Sequence, residues 1–141
     1  KKLNFLVKLD TNGSNPAILS ELLEQNLLDY VAMDIKAPLN KYHIITQTII
    51  NKDNILKSID LLKKSTIDYE FRTTVLKSQL TFNDFDEIGE LLSGAKKYYL
   101  QKFVPSKLLD MRLQNEQNYT DEEFKQIIEK LKTKIQIVDI R

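Results

Sequence analysis

The chain has no cysteine and a single histidine, His43, among its 141 residues. The first absence excludes disulfides and any thiolate-held metal or iron–sulfur cluster on these residues, and the second excludes an all-histidine metal site. Only 3 glycines and 3 prolines occur, which argues against low-complexity segments and long disordered linkers. No G-x-G-x-x-G or G-x-x-x-x-G-K string is present, so a nucleotide-binding doubly wound domain is disfavoured. Neither sign of charge dominates: 21 Lys and Arg stand against 20 Asp and Glu, a net charge of +1, and nothing electrostatic points to nucleic acid or membrane. The apolar runs are far short of a membrane span and no signal-peptide pattern opens the chain, so a cytoplasmic location is the default expectation. The first residue is Lys1 and not methionine. With the missing cysteines, this leads us to expect part of an active site without the rest.

What is present is an ordinary soluble composition, 42% hydrophobic and 29% charged, long enough for one domain spanning residues 1–141 with a real core. Four short apolar runs each end in a polar cluster: FLVKLDTN (5–12), YVAMDIK (30–36), YEFRTT (69–74) and YYLQKF (98–103). Strands are expected at 3–9, 30–35, 68–76 and 97–103, with a closing edge strand at 135–140. Between them lie helical spacings. Asn15-Pro16 opens the first helix, Asp53 caps the second, and Thr81 with Asp84 opens the third, which ends at Gly94. Thr120 with Glu123 opens the last. Residues 39–52 read as irregular, with a short helix and a loop, and 106–119 as a polar surface segment. Strands alternating with helices imply an α/β fold with a parallel sheet and right-handed crossovers, either flavodoxin-like or a segment of a barrel.

Ligands of parallel β/α folds gather at the carboxyl ends of the strands. Residues two apart on a strand share a face, which pairs Asp10 with Asn12, Asp34 with Lys36, Arg72 with Thr74, and Gln101 with Phe103. The alternating Val31, Met33, Ile35, Phe71 and Val75 suit a face packed on helices. Converging strand ends would let Asp10 and Asp34 hold a cation, and let Lys36 and Arg72 meet an anionic group such as a carboxylate. Other polar residues have plainer readings. His43 is a loop residue beside Tyr42. Asp84, Asp86 and Glu87 lie on the exposed start of a helix, where they favour its dipole. Tyr98 and Tyr99 serve packing.

The strings KLDTNGSNP, DYVAMDIKAPL, YEFRTTV and GAKKYYLQKF resemble the carboxyl-terminal portion of radical S-adenosylmethionine (SAM) activating enzymes for glycyl-radical enzymes. The resemblance is greatest to the anaerobic ribonucleoside-triphosphate reductase activating type, with the pyruvate formate-lyase activating type a near relative. It runs in order over about residues 3–103. It implies the later strands of a TIM-like partial (β/α)6 barrel. It also implies a parent oxidoreductase that cleaves SAM reductively with a [4Fe-4S] cluster and abstracts hydrogen from a glycine of its partner. That partner would be anaerobic ribonucleotide reductase or pyruvate formate-lyase, with flavodoxin or ferredoxin as electron donor. The Cys-x3-Cys-x2-Cys loop and Gly-Gly-Glu motif of such enzymes are absent, so this chain alone is expected to be inactive.

Carried over residue by residue, the resemblance places Asp10 and Thr11 near the cofactor's ribose and carboxylate, with Asn12 of the same string also cofactor-binding. It makes Asp10 and Asp34 ligands of a monovalent cation and pairs Lys36 with the methionyl carboxylate. Arg72 faces the cavity, and Gln101 and Phe103 approach the adenine. The histidine found at that last strand end in some relatives is absent, and Lys77-Ser78 replaces a frequent Pro-Gly. The competing reading is a non-catalytic α/β module that binds an anionic small molecule or a partner protein. A barrel lacking its first strands would expose an edge at residues 3–9, which could pair with another copy or with the tail strand 135–140.

Overall fold

Five strands lie side by side in the order in which the chain makes them: β1 (Lys8–Thr11), β2 (Tyr30–Asp34), β3 (Asp68–Val75), β4 (Lys97–Lys102) and β5 (Ile137–Ile140). All four pairings are parallel. The computed structural model describes residues 1–105 and 111–141. Helix α1 (Pro16–Glu24) joins β1 to β2, and α2 (Tyr42–Thr46) and α3 (Lys52–Lys64) join β2 to β3. Helix α4 (Phe82–Leu91) leads to β4, and a 3₁₀ turn (Met111–Asn115) precedes α5 (Asp121–Leu131) and β5.

This order decides between the two α/β folds left open by the sequence. Right-handed crossovers that always add the next strand on the same side put every helix on one face, as in a barrel wall. A doubly wound sheet reverses direction and covers both faces. The helix-covered face carries Val31, Met33, Phe71, Val75, Tyr98 and Leu100, all fully buried with Leu62, Phe85, Ile88 and Phe124 from the helices. Each such side chain contributes roughly 1.5–3 kcal/mol, so stability resides mainly on this side.

Local chemistry starts the helices where the sequence marks them. Asn15 Oδ1 accepts from the Ile18 amide at 3.2 Å, with Pro16 at the first helical position. Thr81 with Asp84 and Thr120 with Glu123 form reciprocal capping boxes. At α3 the cap is Asn51, which accepts from the Asp53 amide at 3.0 Å; Asp53 itself sits in the first turn, where its charge suits the helix dipole.

Three expectations are corrected. Residues 3–9 are not a buried strand: only Lys8–Thr11 pairs, and Leu3, Phe5 and Leu6 are 78, 71 and 86% exposed. Asn4, at φ 58°, breaks the extended backbone there, and β1 lies at the edge of the sheet. β5 is the opposite edge, so the tail does not pair with β1. Of the stretch 106–119, residues 106–110 lie outside the described residues, and its end is not surface. Tyr119 is buried with its hydroxyl donating to the Leu80 carbonyl at 2.6 Å and its ring edge-on to Phe82, Phe85 and Phe124. Among the described residues no helix is long and apolar enough to cross a membrane.

Candidate functional site on the helix-free sheet face

Strand alternation that buries one face in helices turns the opposite set of side chains to the helix-free face. Register aligns them in rows: Asp10 beside Ala32 and Glu70, and Asp34 beside Arg72 and Tyr99. A closed barrel would turn this face inward.

Near its carboxyl end, Arg72 ties three strands together. Its Nη1 lies 2.7 Å from Asp10 Oδ1, and its Nη2 and Nε lie 2.9 and 3.0 Å from Asp34 Oδ1. Ala32, fully buried between the two aspartates, leaves the width of β2 clear for the guanidinium to cross. The other Asp34 oxygen accepts from Lys36 Nζ at 2.8 Å. Burial alone would lower the Arg72 pKa, but Asp34 and Asp10 outweigh it and hold the pKa above its ordinary value. The guanidinium is therefore a permanent charge, rigidly aimed.

The backbone at the end of β2 is closed on itself by side chains from both flanks. The Ile35 amide donates to the Arg72 carbonyl at 2.7 Å. The Ile35 carbonyl accepts from Thr73 Oγ1 at 2.6 Å, and Thr73 in turn accepts from the buried Tyr98 hydroxyl at 2.7 Å. The Lys36 amide donates to Tyr42 Oη at 3.2 Å, and that hydroxyl contacts the Asp34 carbonyl at 3.4 Å. The loop after β1 is held as firmly. Gly13 (φ +73°) packs so tightly that a Cβ there would lie 2.0 Å from Met33 Cε. Its carbonyl accepts from Ser58 Oγ at 2.8 Å, and that of Ser14 from Asn54 Nδ2 at 2.9 Å. Between this loop and α2 opens a cleft of about 500 Å³, whose lining includes Asn12, Lys36, Tyr42, Thr46, Ile50 and Asn51.

Four of the residues singled out in the sequence thus meet: Asp10, Asp34, Lys36 and Arg72. Asn12, whose side chain accepts from the Ser14 amide at 3.0 Å, joins Lys36 at the cleft. Gln101 pairs with Thr74 in register, on the same face as Arg72 and one strand over. Thr11 stands apart: alternation turns it to the helix side, where its Oγ1 accepts from the Gly13 amide at 3.1 Å. Phe103 lies past the end of β4, its backbone held at both polar groups by Asn118 at 2.9 and 2.8 Å. Lys77 pairs with Glu123 at 2.7 Å, fixing the loop after β3 to α5. No cluster of three or more His, Asp or Glu placed to hold a metal occurs among the described residues. The space between Asp10 and Asp34 is taken by the Arg72 guanidinium.

A second polar cluster on this face was not foreseen. Glu70, 1% exposed, accepts from Tyr30 Oη at 2.7 Å and from Arg141 Nη1 at 2.9 Å, while the Arg141 guanidinium lies 3.5 Å over the Tyr99 ring. Tyr99 therefore stacks on a cation instead of merely packing. Burial and Glu70 push the Tyr30 hydroxyl well above its ordinary pKa, so it stays a neutral donor. Asp84 is also corrected: it is buried, not exposed, and accepts from Lys41 Nζ at 2.8 Å. Only Tyr30's place in an alternating strand hinted at this second cluster; Glu70 and Arg141 are 71 residues apart.

No protein-family profile matches the chain. A Methanocaldococcus jannaschii protein, provisionally named a glycyl-radical enzyme activating enzyme, is 35% identical over 114 residues, which is 78% of this chain. The match covers 48% of that protein, so the chain spans about half the length of the curated relative. In fold, the chain superposes on a domain of pyruvate-formate lyase-activating enzyme from Bacteroides vulgatus with a TM-score of 0.69, covering 96% of this chain and 83% of that one at 16% identity. In sequence, then, the chain is similar to a glycyl-radical enzyme activating enzyme, and its fold is that of a pyruvate-formate lyase-activating enzyme domain.

Proposed function

We propose that this chain is the cofactor-positioning wall of a radical SAM activating enzyme, a single domain that forms the carboxyl-terminal part of its barrel. The observation that carries the reading is the convergence of Asp10, Asp34, Lys36 and Arg72 at the carboxyl ends of three adjacent parallel strands. Lys36 Nζ gives one donor to Asp34 and stands at the rim of the cleft, 39% exposed, where it can meet a carboxylate. The methionyl end of SAM carries such a carboxylate. Asn12 and Gln101 would bound the ligand on either side, whereas Thr11 acts only through the turn it caps. A monovalent cation between Asp10 and Asp34 would have to displace the Arg72 guanidinium, so we assign these carboxylates to holding Arg72.

The [4Fe-4S] cluster does not fit these residues, because the donor set contains no thiolate. When bound elsewhere in the whole protein, the cluster would supply the electron that cleaves SAM under anaerobic conditions. On this reading the parent is an oxidoreductase of the cytoplasm. It is served by flavodoxin or ferredoxin and acts on anaerobic ribonucleotide reductase or pyruvate formate-lyase, and this chain by itself is inactive. The coding sequence upstream of Lys1 tests the assignment: an in-frame Cys-x3-Cys-x2-Cys is expected, and an open reading frame without it contradicts the proposal. In the complete gene product, Lys36→Ala should raise the KM for SAM about tenfold or more, as loss of a charge-assisted hydrogen bond predicts.

A further inference from the structure

We infer that Tyr42, a residue of the short helix α2, is the positioning residue that sets where Lys36 and Asp34 point. The inference rests on the ligand site proposed above and adds a member to it. Beyond Asp34 the chain leaves the sheet, and there the ladder no longer fixes the backbone. Side chains that could be rotated freely by such a segment are poor ligand holders, because the productive geometry must be prepaid in the folded state. Four backbone polar groups decide the matter here. The Ile35 amide and carbonyl are taken by β3, through Arg72 and Thr73. The Lys36 amide and the Asp34 carbonyl both meet one atom, Tyr42 Oη, at 3.2 and 3.4 Å.

A hydroxyl can serve both because it is acceptor and donor at once. The Tyr42 ring is 2% exposed and packed in the main core, so its hydroxyl is a fixed point and not a mobile contact. Burial also raises its pKa, which keeps the proton needed for the Asp34 carbonyl. No other hydroxyl or amide among the described residues bonds to either group. Tyr42 makes no hydrogen bond to the Asp34 carboxylate or the Lys36 ammonium; it holds them through the backbone, while it lines the cleft together with Lys36.

The test uses the complete gene product that carries this chain, assayed for 5′-deoxyadenosine formation against SAM concentration. Tyr42→Phe removes one oxygen and keeps the ring in place. Losing one hydrogen bond at the end of β2 should raise the KM for SAM about fivefold, with kcat changed by less than about twofold. A merely structural role would lower the melting temperature and leave KM where it was. Tyr42→Phe added to Lys36→Ala should raise KM by clearly less than the fivefold it causes alone, because Tyr42 works in part through Lys36. If Lys36→Ala raises KM and Tyr42→Phe does not, or if the two effects multiply, the inference is overturned while the site stands. If Lys36→Ala leaves KM unchanged, the site reading fails and this inference falls with it.

Discussion

Arg72 is the residue on which the site depends most. Among the described residues it is the one cation that reaches both Asp10 and Asp34, and it does so across β2 from a side chain only 16% exposed. Arg72→Met would leave two carboxylates facing each other without a cation between them. We expect a loss of roughly 1–3 kcal/mol in a urea melt, less than for a fully buried pair because Asp10 is about half exposed. Gly13 makes a second residue-scale prediction. Alanine there must adopt a left-handed φ and push into Met33, so Gly13→Ala should lower stability by about 2 kcal/mol. The convergence of Asp10, Asp34, Lys36 and Arg72 was legible because alternation and strand ends are local signals. Glu70 was not, since a buried carboxylate is tolerable only with partners, and its partners come from other strands, Arg141 from the far edge. Thr11, which the resemblance sets beside the cofactor, lies on the helix side, because alternation turns it away from the face that Asp10 shares with Arg72.

At the scale of elements, caps were read best and contexts worst. Asn15, Thr81 and Thr120 start helices as their local sequence requires, because a cap is satisfied within three residues. Residues 3–6 show the opposite case. Their apolar composition suggests a buried strand, yet burial depends on a neighbour that composition cannot report. Asp84 joins both lessons: its capping role was readable, but its burial and its bond to Lys41, 43 residues away, were not. Burial would raise its pKa, but Lys41 and the Thr81 amide and hydroxyl outweigh this and hold it below the ordinary 3.8. A depressed carboxylate pKa gives stability that is fully present above about pH 4 and is lost as pH falls through the folded value. The urea midpoint of the wild type should therefore hold from pH 5 to about pH 4 and drop as the pH falls further toward 3. Asp84→Asn should be less stable at pH 7 and lose less over that interval; an equal loss in both would remove Asp84 from the account.

At the scale of the molecule, one face of the sheet is a helix-packed core and the other a charged surface of aligned rows. That asymmetry follows from strand order, since helices added always on one side leave the other without cover. The alternation of strands and helices, and so the parallel sheet, could be read from the sequence. The order of the strands could not, because no local signal distinguishes a singly wound sheet from a doubly wound one. On the proposed reading, a face carrying Asp34, Lys36 and Arg72 but no thiolate would orient the ligand, and the electron would come from a cluster held elsewhere in the complete product. The most direct test incubates SAM and a strong reductant, under anaerobic conditions and after reconstitution with iron and sulfide, with this chain alone and with the complete gene product. The account predicts 5′-deoxyadenosine from the complete product and none above buffer from the chain alone. Turnover by the chain alone, or none by the complete product, would contradict it.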